Sequence, residues 1–174
     1  TAQALGAKYS VVAKTGICTT VTGFWAGNYC MAGLYSCVSE RNSANYAFDF
    51  RPDIIVVNLG TIESSYILRT DEPNSDPTYG SRFQSDYAAF LAAVRQQNPQ
   101  AYIICLYGMM NKNVTIHLGI QGAVEEIIKG GDTRIVYNPF AIEQNNLGGI
   151  NHPNAVAHRQ WAEDLTAYIR TLDI

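Results

Sequence analysis

Three short runs of apolar residues along the chain are rich in β-branched side chains. They are Asp53–Leu59, Ala101–Leu106 and Thr133–Tyr137. The apolar residues in these runs follow one another instead of alternating with polar ones, which is typical of strands buried on both faces of a sheet. Another short run, Lys8–Ala13, predicts a further strand.

Between these runs, apolar side chains recur at helical spacing. The spacing predicts helices over Ser81–Gln97 and Val114–Lys129, a last helix opened by His152-Pro153, and the tail of a helix at Thr1–Leu5. Strands that alternate with helices build parallel βαβ units. The sequence therefore predicts an α/β fold, a three-layer α/β/α sandwich with a parallel, flavodoxin-like sheet.

The composition fits one folded domain over residues 1–174. Hydrophobic residues make up 47% of the chain and charged residues 16%, a balance that allows a core and argues against disorder. The net charge is −3 and there is no run of Lys or Arg, so we expect neither nucleic acid nor a membrane surface as a partner. No apolar run approaches the ~20 residues that span a bilayer.

The segment Ile17–Asn45 is long, rich in Gly and aromatic residues, and without a clear period. Such a segment is typically functional or held by a cross-link. Of the four cysteines, three lie in it, and Cys30–Cys37 is the simplest disulfide, with unpaired thiols as the alternative. Cys105 lies in a predicted strand and is expected to be a small buried hydrophobe. The spacing matches no zinc site, so we expect no metal and no other cofactor.

Few charges, many Tyr residues and polar loops favour an extracellular, secreted protein. The sequence begins at Thr1 without a signal peptide, and a leader could already have been removed. Asn113-Val114-Thr115 is a glycosylation sequon, although such triplets are common by chance.

Ligands of open parallel sheets bind beyond the carboxyl ends of the strands, so residues that follow the predicted strands are the candidates for function. Gly16 and Gly60 each follow a strand, where a glycine lets a substrate approach the backbone and an N–H donate to an oxyanion. A tight turn that requires glycine is the alternative for either residue.

His152 is the strongest candidate for a catalytic side chain. It lies between Gly148-Gly149 and the start of a predicted helix, so its ring can project from a loop and act as a general base on a hydroxyl. The alternative is a helix-capping or surface histidine. His158 is expected to pack or to form a hydrogen bond, and His117 to be an ordinary surface residue.

Three segments resemble, in order, sequence blocks of the SGNH (GDSL-like) hydrolase superfamily, and most closely carbohydrate esterase family 2, the acetyl-xylan and related deacetylases. Ala4–Ile17 is similar to the second block, with Gly16 at the oxyanion glycine. Pro52–Thr61 is similar to the approach to the third block, and His152–Arg159 to the fifth. The resemblance extends from end to end of the chain. It implies the SGNH fold and Ser–His ester hydrolysis with His152 as the base.

The resemblance also implies a carbohydrate ligand, an acetylated polysaccharide or oligosaccharide. Trp25, Tyr29 and Tyr35 in the long loop are the side chains expected to stack on sugar rings, with local packing of these aromatic residues as the alternative.

The chain departs from the family pattern in three ways. The first block, a strand followed by Gly-Asp-Ser with the nucleophile, is absent. The third block, usually Gly-Thr-Asn-Asp, here places Ile62 at the oxyanion Asn, and Ile62 has no side-chain donor. The acid that commonly orients the base would fall at Gly149 or Ile150, so Asn151 or a nearby carbonyl would have to orient the ring.

In the SGNH fold the missing first strand is central, between the strands at Lys8–Ala13 and Asp53–Leu59. Its absence would expose two strand edges, with a cost of about 1–3 kcal/mol for each unpaired backbone group. We therefore expect a segment outside this chain, from upstream in the same polypeptide or from a neighbour, to fill the slot. The chain alone is expected to be inactive.

The sequence leaves three functions open. The first is an O-acetyl esterase of plant-wall polysaccharide, with the Ser supplied from outside this chain. The second is a catalytically degenerate SGNH module with a binding or structural role, which Ile62 and the missing acid favour. The third is an unrelated flavodoxin-like fold that binds a small anion, although neither a GxGxxG nor a P-loop pattern is present.

Overall fold

The computed structural model of the chain describes residues 1–19, 30–39, 41–69, 75–141 and 145–174. In these ranges the strands are β1 (Cys37–Ser39), β2 (Asn42–Asn45), β3 (Ile54–Asn58), β4 (Tyr102–Leu106) and β5 (Ile135–Tyr137). The helices are α1 (Ala2–Leu5), α2 (Met31–Leu34), α3 (Thr61–Arg69), α4 (Tyr79–Gln97), α5 (Val114–Lys129) and α6 (Ala155–Ile169), with a 3-10 turn at Gly149–Asn151.

The central sheet of the described residues is parallel, in the order β3-β4-β5. Ile54 is in register with Tyr102, and Ile103 with Ile135. These strands are the three that the apolar runs predict, each within two residues of the predicted bounds. In β4, the middle strand, residues 103–106 are at most 2% exposed, as a strand covered on both faces requires.

Helices cover both faces of this sheet and produce three layers. On one face α3, α4 and α5 contribute to a core around Ile103, Cys105 and Tyr107. On the other face α6 packs over Ile104 and Leu106, and Leu5 of α1 packs against the same cluster. The predicted three-layer α/β/α sandwich is confirmed. None of the described helices is both long and apolar enough to cross a bilayer.

The helix predictions are close to the observed elements. The helix Val114–Lys129 has the bounds that its apolar period predicts, and Asn113 caps it by accepting a hydrogen bond from the Thr115 N–H. The last helix begins at Ala155, with Asn154 as its N-cap, so His152-Pro153 precedes the helix and does not open it. α3 is absent from the prediction.

The described residues of the segment 17–45 include regular structure that the sequence does not predict. They form α2 and the antiparallel pair β1-β2. The prediction of a Cys30–Cys37 disulfide is wrong, because none of the four cysteines forms a disulfide and all four lie in the described ranges. Cys30 instead faces Cys18 in an isolated β-bridge, and Cys37 Sγ lies 3.5 Å from the Gly33 carbonyl oxygen. Cys105 is fully buried, as expected.

The prediction of a strand at Lys8–Ala13 is also wrong for this structure. The segment has no regular structure, and its large apolar side chains are exposed, Tyr9 by 74% and Val11 by 71%. The physical reason is the lack of a partner, since β3 pairs only with β4 in the described sheet. Val56 of β3 is 41% exposed, whereas the neighbouring residues of β4 are buried.

Candidate functional site

The loop that carries His152 lies at the carboxyl ends of the strands. It connects β5 to α6, and Phe140, just beyond β5, contacts Trp161 in the second turn of α6 with ring centroids 6.1 Å apart. Because Phe140 and Trp161 share a core with Leu106 at the end of β4, the start of α6 lies at this edge of the sheet. His152 therefore lies where α/β sheets bind ligands.

Backbone hydrogen bonds close the His152 loop on itself. The Gly148 N–H donates to the His152 carbonyl over 2.6 Å, and the Asn154 N–H to the Asn146 carbonyl over 2.8 Å. Leu147 and Pro153 form an antiparallel bridge between the two arms. The loop thus holds its tip in a defined geometry without help from a core.

The ring of His152 is oriented by a backbone carbonyl. Its Nδ1 lies 3.1 Å from the Ile150 oxygen, and a carbonyl can only accept, so Nδ1 carries the proton in this contact. In the neutral ring this contact leaves Nε2 with a lone pair, as a general base requires. The side chain is exposed and so accessible to a substrate.

The Ile150 carbonyl is directed towards His152 by left-handed backbone at the tip of the loop. Ile150 (φ 54°, ψ 39°) and Asn151 (φ 57°) are both left-handed, and for a β-branched residue this conformation is strained. The Ile150 side chain is 90% exposed, so packing does not compensate for the strain.

We expect Ile150→Asn to stabilise the chain by about 1 kcal/mol, because asparagine tolerates left-handed backbone and little buried area is lost. Urea unfolding followed by circular dichroism measures this as a higher midpoint. The matched control is Val156→Asn, a 60% exposed valine in regular helix, which should not raise the midpoint. An Ile150→Asn midpoint at or below that of the wild type would contradict the strain argument.

The two candidate oxyanion glycines differ in their surroundings. Gly16 has φ 72° and is half-buried in a turn. Gly60 has φ 108° and is buried, and a Cβ there would lie 3.0 Å from Ile116 and 3.1 Å from Tyr107. The turn and the packing by themselves require glycine at position 60. Donation by the N–H of either glycine stays a prediction.

The loops after β3 and β4 are joined by hydroxyl groups. The Ser64 hydroxyl donates to the Gly60 carbonyl over 3.0 Å and hydrogen-bonds to the Tyr107 hydroxyl. The Tyr107 oxygen also accepts from the Asn113 N–H over 2.8 Å. Burial raises the pKa of Tyr107, while its bond with Ser64 acts in the opposite direction. Since Ser64 is fully buried, its hydroxyl fixes this edge of the sheet and is not accessible to a substrate.

Ile62, at the usual position of the oxyanion Asn, lies half-buried in the first turn of α3. The next residue, Glu63, is fully buried and accepts a hydrogen bond from the Thr19 N–H over 2.5 Å. Sequence reasoning assigned no role to Glu63. The signal in the sequence was an acidic residue three positions after Gly60, close to the end of a buried strand, where a charge is unfavourable unless it is paired.

The aromatic residues expected to bind sugar divide into two groups. Trp25 and Tyr29 lie outside the described residues. Tyr35 packs against Phe48 and Phe90, with ring centroids 5.1 and 5.8 Å away, and its hydroxyl accepts from the Asn98 amide over 2.9 Å. Tyr35 is therefore used for local packing, the alternative that the sequence left open.

The other two histidines have structural contacts. His158 meets Trp161 edge-on with ring centroids 5.9 Å apart, which agrees with the expected packing role. The expectation of an ordinary surface role for His117 is wrong, because its Nδ1 lies 2.7 Å from the Tyr137 hydroxyl. Desolvation first, and the nearby Lys112 second, lower the pKa of His117. Within the described residues, no three His, Cys, Asp or Glu side chains lie together as a metal site would need.

Comparison with known proteins gives a consistent set of relatives. No protein-family model matches the chain. Over 98% of its length the chain is 27% identical to the cellulase/esterase CelE of Acetivibrio thermocellus. It superposes on an active-site mutant of a family two carbohydrate esterase from Clostridium thermocellum, solved in complex with cellohexaose, with a TM-score of 0.82 and 25% identity over 98% of this chain.

A family two esterase of Corynascus thermopiles (Myceliophthora fergusii), solved with its carbohydrate-binding domain, has a TM-score of 0.81 and 26% identity over 98% of this chain. The chain covers 54% of that structure, 51% of the Clostridium thermocellum structure and 20% of CelE. It thus spans about half the length of the solved structures. The resemblance to family two carbohydrate esterases, and the SGNH fold that it implies, are confirmed.

Proposed function

We propose that this chain, which resembles the family two carbohydrate esterases in fold and in sequence along its whole length, forms part of a carbohydrate O-acetyl esterase. One observation supports the proposal: Nδ1 of the exposed His152 lies 3.1 Å from the Ile150 carbonyl oxygen, an arrangement that leaves Nε2 of the neutral ring able to act as a base. Thr19, three residues after Gly16, donates its N–H to Glu63 in the first turn of α3, which supports a position of the Gly16 turn near the same edge.

The proposed chemistry is acyl transfer through a serine that lies outside this chain. Its hydroxyl attacks the acetyl carbonyl while His152 Nε2 takes the proton. The Gly16 N–H and the N–H of the serine stabilise the oxyanion, and His152 then returns the proton to the leaving sugar oxygen. Water, activated by His152, hydrolyses the acetyl-serine and releases acetate.

Within the described residues β3 pairs with a strand on one side only, which supports a serine-bearing strand from outside this chain. Val56 is 41% exposed on a strand whose neighbour is buried, and the side chains of Tyr9 and Val11 lie in solvent. An extended segment beside β3 would supply backbone partners and cover apolar surface together. If it runs parallel to β3, like β4 and β5, such a strand would end at the carboxyl edge of the sheet. The proposed substrate is a wall polysaccharide, so a location outside the cell is part of this proposal.

A second candidate is a catalytically degenerate module that binds carbohydrate. Ile62 favours it, because removal of one oxyanion donor costs about 10²–10³-fold in rate. The described residues around His152 also provide no carboxylate partner for the ring, only the Ile150 carbonyl.

The complete protein, assayed on p-nitrophenyl acetate and on acetylated xylan, distinguishes the two candidates. An esterase releases acetate from both at rates far above uncatalysed hydrolysis. Titration with cellohexaose, which carries no acetyl group, provides the second arm. Binding of cellohexaose together with acetate release at the uncatalysed rate would favour the binding module and reject the esterase.

A further inference from the structure

The side chain of Glu63 is fully buried, and it joins two segments that lie far apart in sequence. It is the third residue of α3, directly after the turn at Gly60, and its Oε1 accepts the Thr19 N–H over 2.5 Å. Thr19 is itself fully buried, and Cys18 is 2% exposed. This carboxyl group therefore connects the loop after β3 to the segment that follows the Gly16 turn.

The backbone of that segment is held on its other side by α2. The Cys18 carbonyl accepts from the Met31 N–H over 2.8 Å, and the Thr19 carbonyl accepts from the Ala32 N–H over 3.1 Å. These bonds use the carbonyl groups of the segment, while its amide at Thr19 points the opposite way, to Glu63. Hydrogen bonds to α2 on one side and to α3 on the other thus hold the segment at Cys18 and Thr19, two and three residues after Gly16.

An ionised acidic side chain buried at this position carries a desolvation cost of several kcal/mol. Two features offset the cost: the hydrogen bond from a backbone N–H, and the position in the first turn of a helix, where the macrodipole favours negative charge. Burial raises the pKa of the Tyr79 phenol most, and the charge of the nearby Glu63 raises it further. A leucine would fill the same space at lower cost, but it could not bind the Thr19 amide.

We propose that Glu63 is a positioning residue that fixes the Gly16–Thr19 segment and so presets the direction of the Gly16 N–H. The catalytic consequence rests on the proposed esterase function. The holding of Thr19 does not, because it is a property of the folded chain. Glu63 touches no reacting atom and acts through the backbone of Thr19.

The test uses the complete protein with three substitutions of Glu63. Glu63→Met keeps the length and removes the acceptor, Glu63→Asp withdraws the carboxyl group by one methylene, and Glu63→Gln keeps an acceptor oxygen at the original reach. The control is Thr166→Val, which alters another buried polar residue, on α6, whose hydroxyl bonds to the Ala162 carbonyl. Each variant is compared with wild type by thermal unfolding, amide hydrogen exchange and steady-state kinetics.

We expect Glu63→Met to accelerate exchange of the Thr19 amide by about tenfold beyond its effect on global stability, and Glu63→Gln to restore protection. We expect kcat of Glu63→Met to fall by about tenfold with KM within about twofold, because an oxyanion donor acts on the transition state. Thr166→Val should leave kcat and Thr19 exchange unchanged.

Unchanged Thr19 exchange in Glu63→Met would overturn the proposal, as would a wild-type kcat in an active protein. If Glu63→Met does not fold, Glu63→Asp decides in the same way: faster Thr19 exchange supports the role, and wild-type exchange rejects it. A wild-type protein without esterase activity would remove the proposed function alone, since the exchange arm still reports whether Glu63 holds the segment.

Discussion

Replacement of His152 by alanine in the complete protein is expected to lower kcat for acetyl-ester hydrolysis by about 10²–10⁴-fold. The substitution removes the imidazole that is proposed to take the proton of the serine. It should cost little stability, because the side chain is exposed and its hydrogen bond is to the Ile150 carbonyl, two residues away in the same loop. Acetate release from acetylated xylan measures the loss, and binding of cellohexaose should be retained.

His158→Ala is the matched control. This histidine is also exposed and lies six residues further on, and its ring contacts Trp161 in place of a backbone carbonyl. We expect its kcat to stay within about threefold of wild type, as is usual for exposed positions outside a reacting centre. If His152→Ala were as active as His158→Ala, the imidazole at position 152 would have no part in the chemistry.

The sequence predicts the central sheet well because local and tertiary preferences agree there. The β-branched runs in β3, β4 and β5 are buried between helices, so propensity and burial demand the same structure. α5 is equally clear, since its apolar period, its Asn113 cap and the following Gly130 all mark the same bounds. The prediction of His152 as a loop residue at the sheet edge follows from this framework.

Features that depend on distant contacts were missed for physical reasons. Lys8–Ala13 has strand propensity, but a strand forms only beside another strand, and no local pattern reports whether that neighbour is present. The sequence left open which carbonyl orients His152. Left-handed backbone is usually marked by glycine, and the left-handed pair Ile150–Asn151 contains none. The role of Glu63 depends on a contact across 44 positions of sequence with Thr19, which periodicity cannot reveal.

The second large effect concerns the side of β3 that has no paired strand in the described sheet. We expect this chain alone to release acetate at the uncatalysed rate, and the complete polypeptide to be active, since the proposal takes the base from this chain and the nucleophile from outside it. In the complete protein, the amides of Lys8–Ala13 and of β3 should exchange more slowly than in this chain, because a paired strand buries its N–H groups.

Val56→Asp in the complete protein should weaken this pairing, since it places a charge on the 41% exposed residue of the open edge strand, and both activity and amide protection should fall together. Leu68→Asp, at a residue 66% exposed on α3, is the control and should leave both unchanged. The two measurements are coupled because one strand is proposed to complete the sheet and to deliver the serine. Activity in this chain alone, or equal exchange at residues 8–13 in both proteins, would show that the sheet needs no strand from outside.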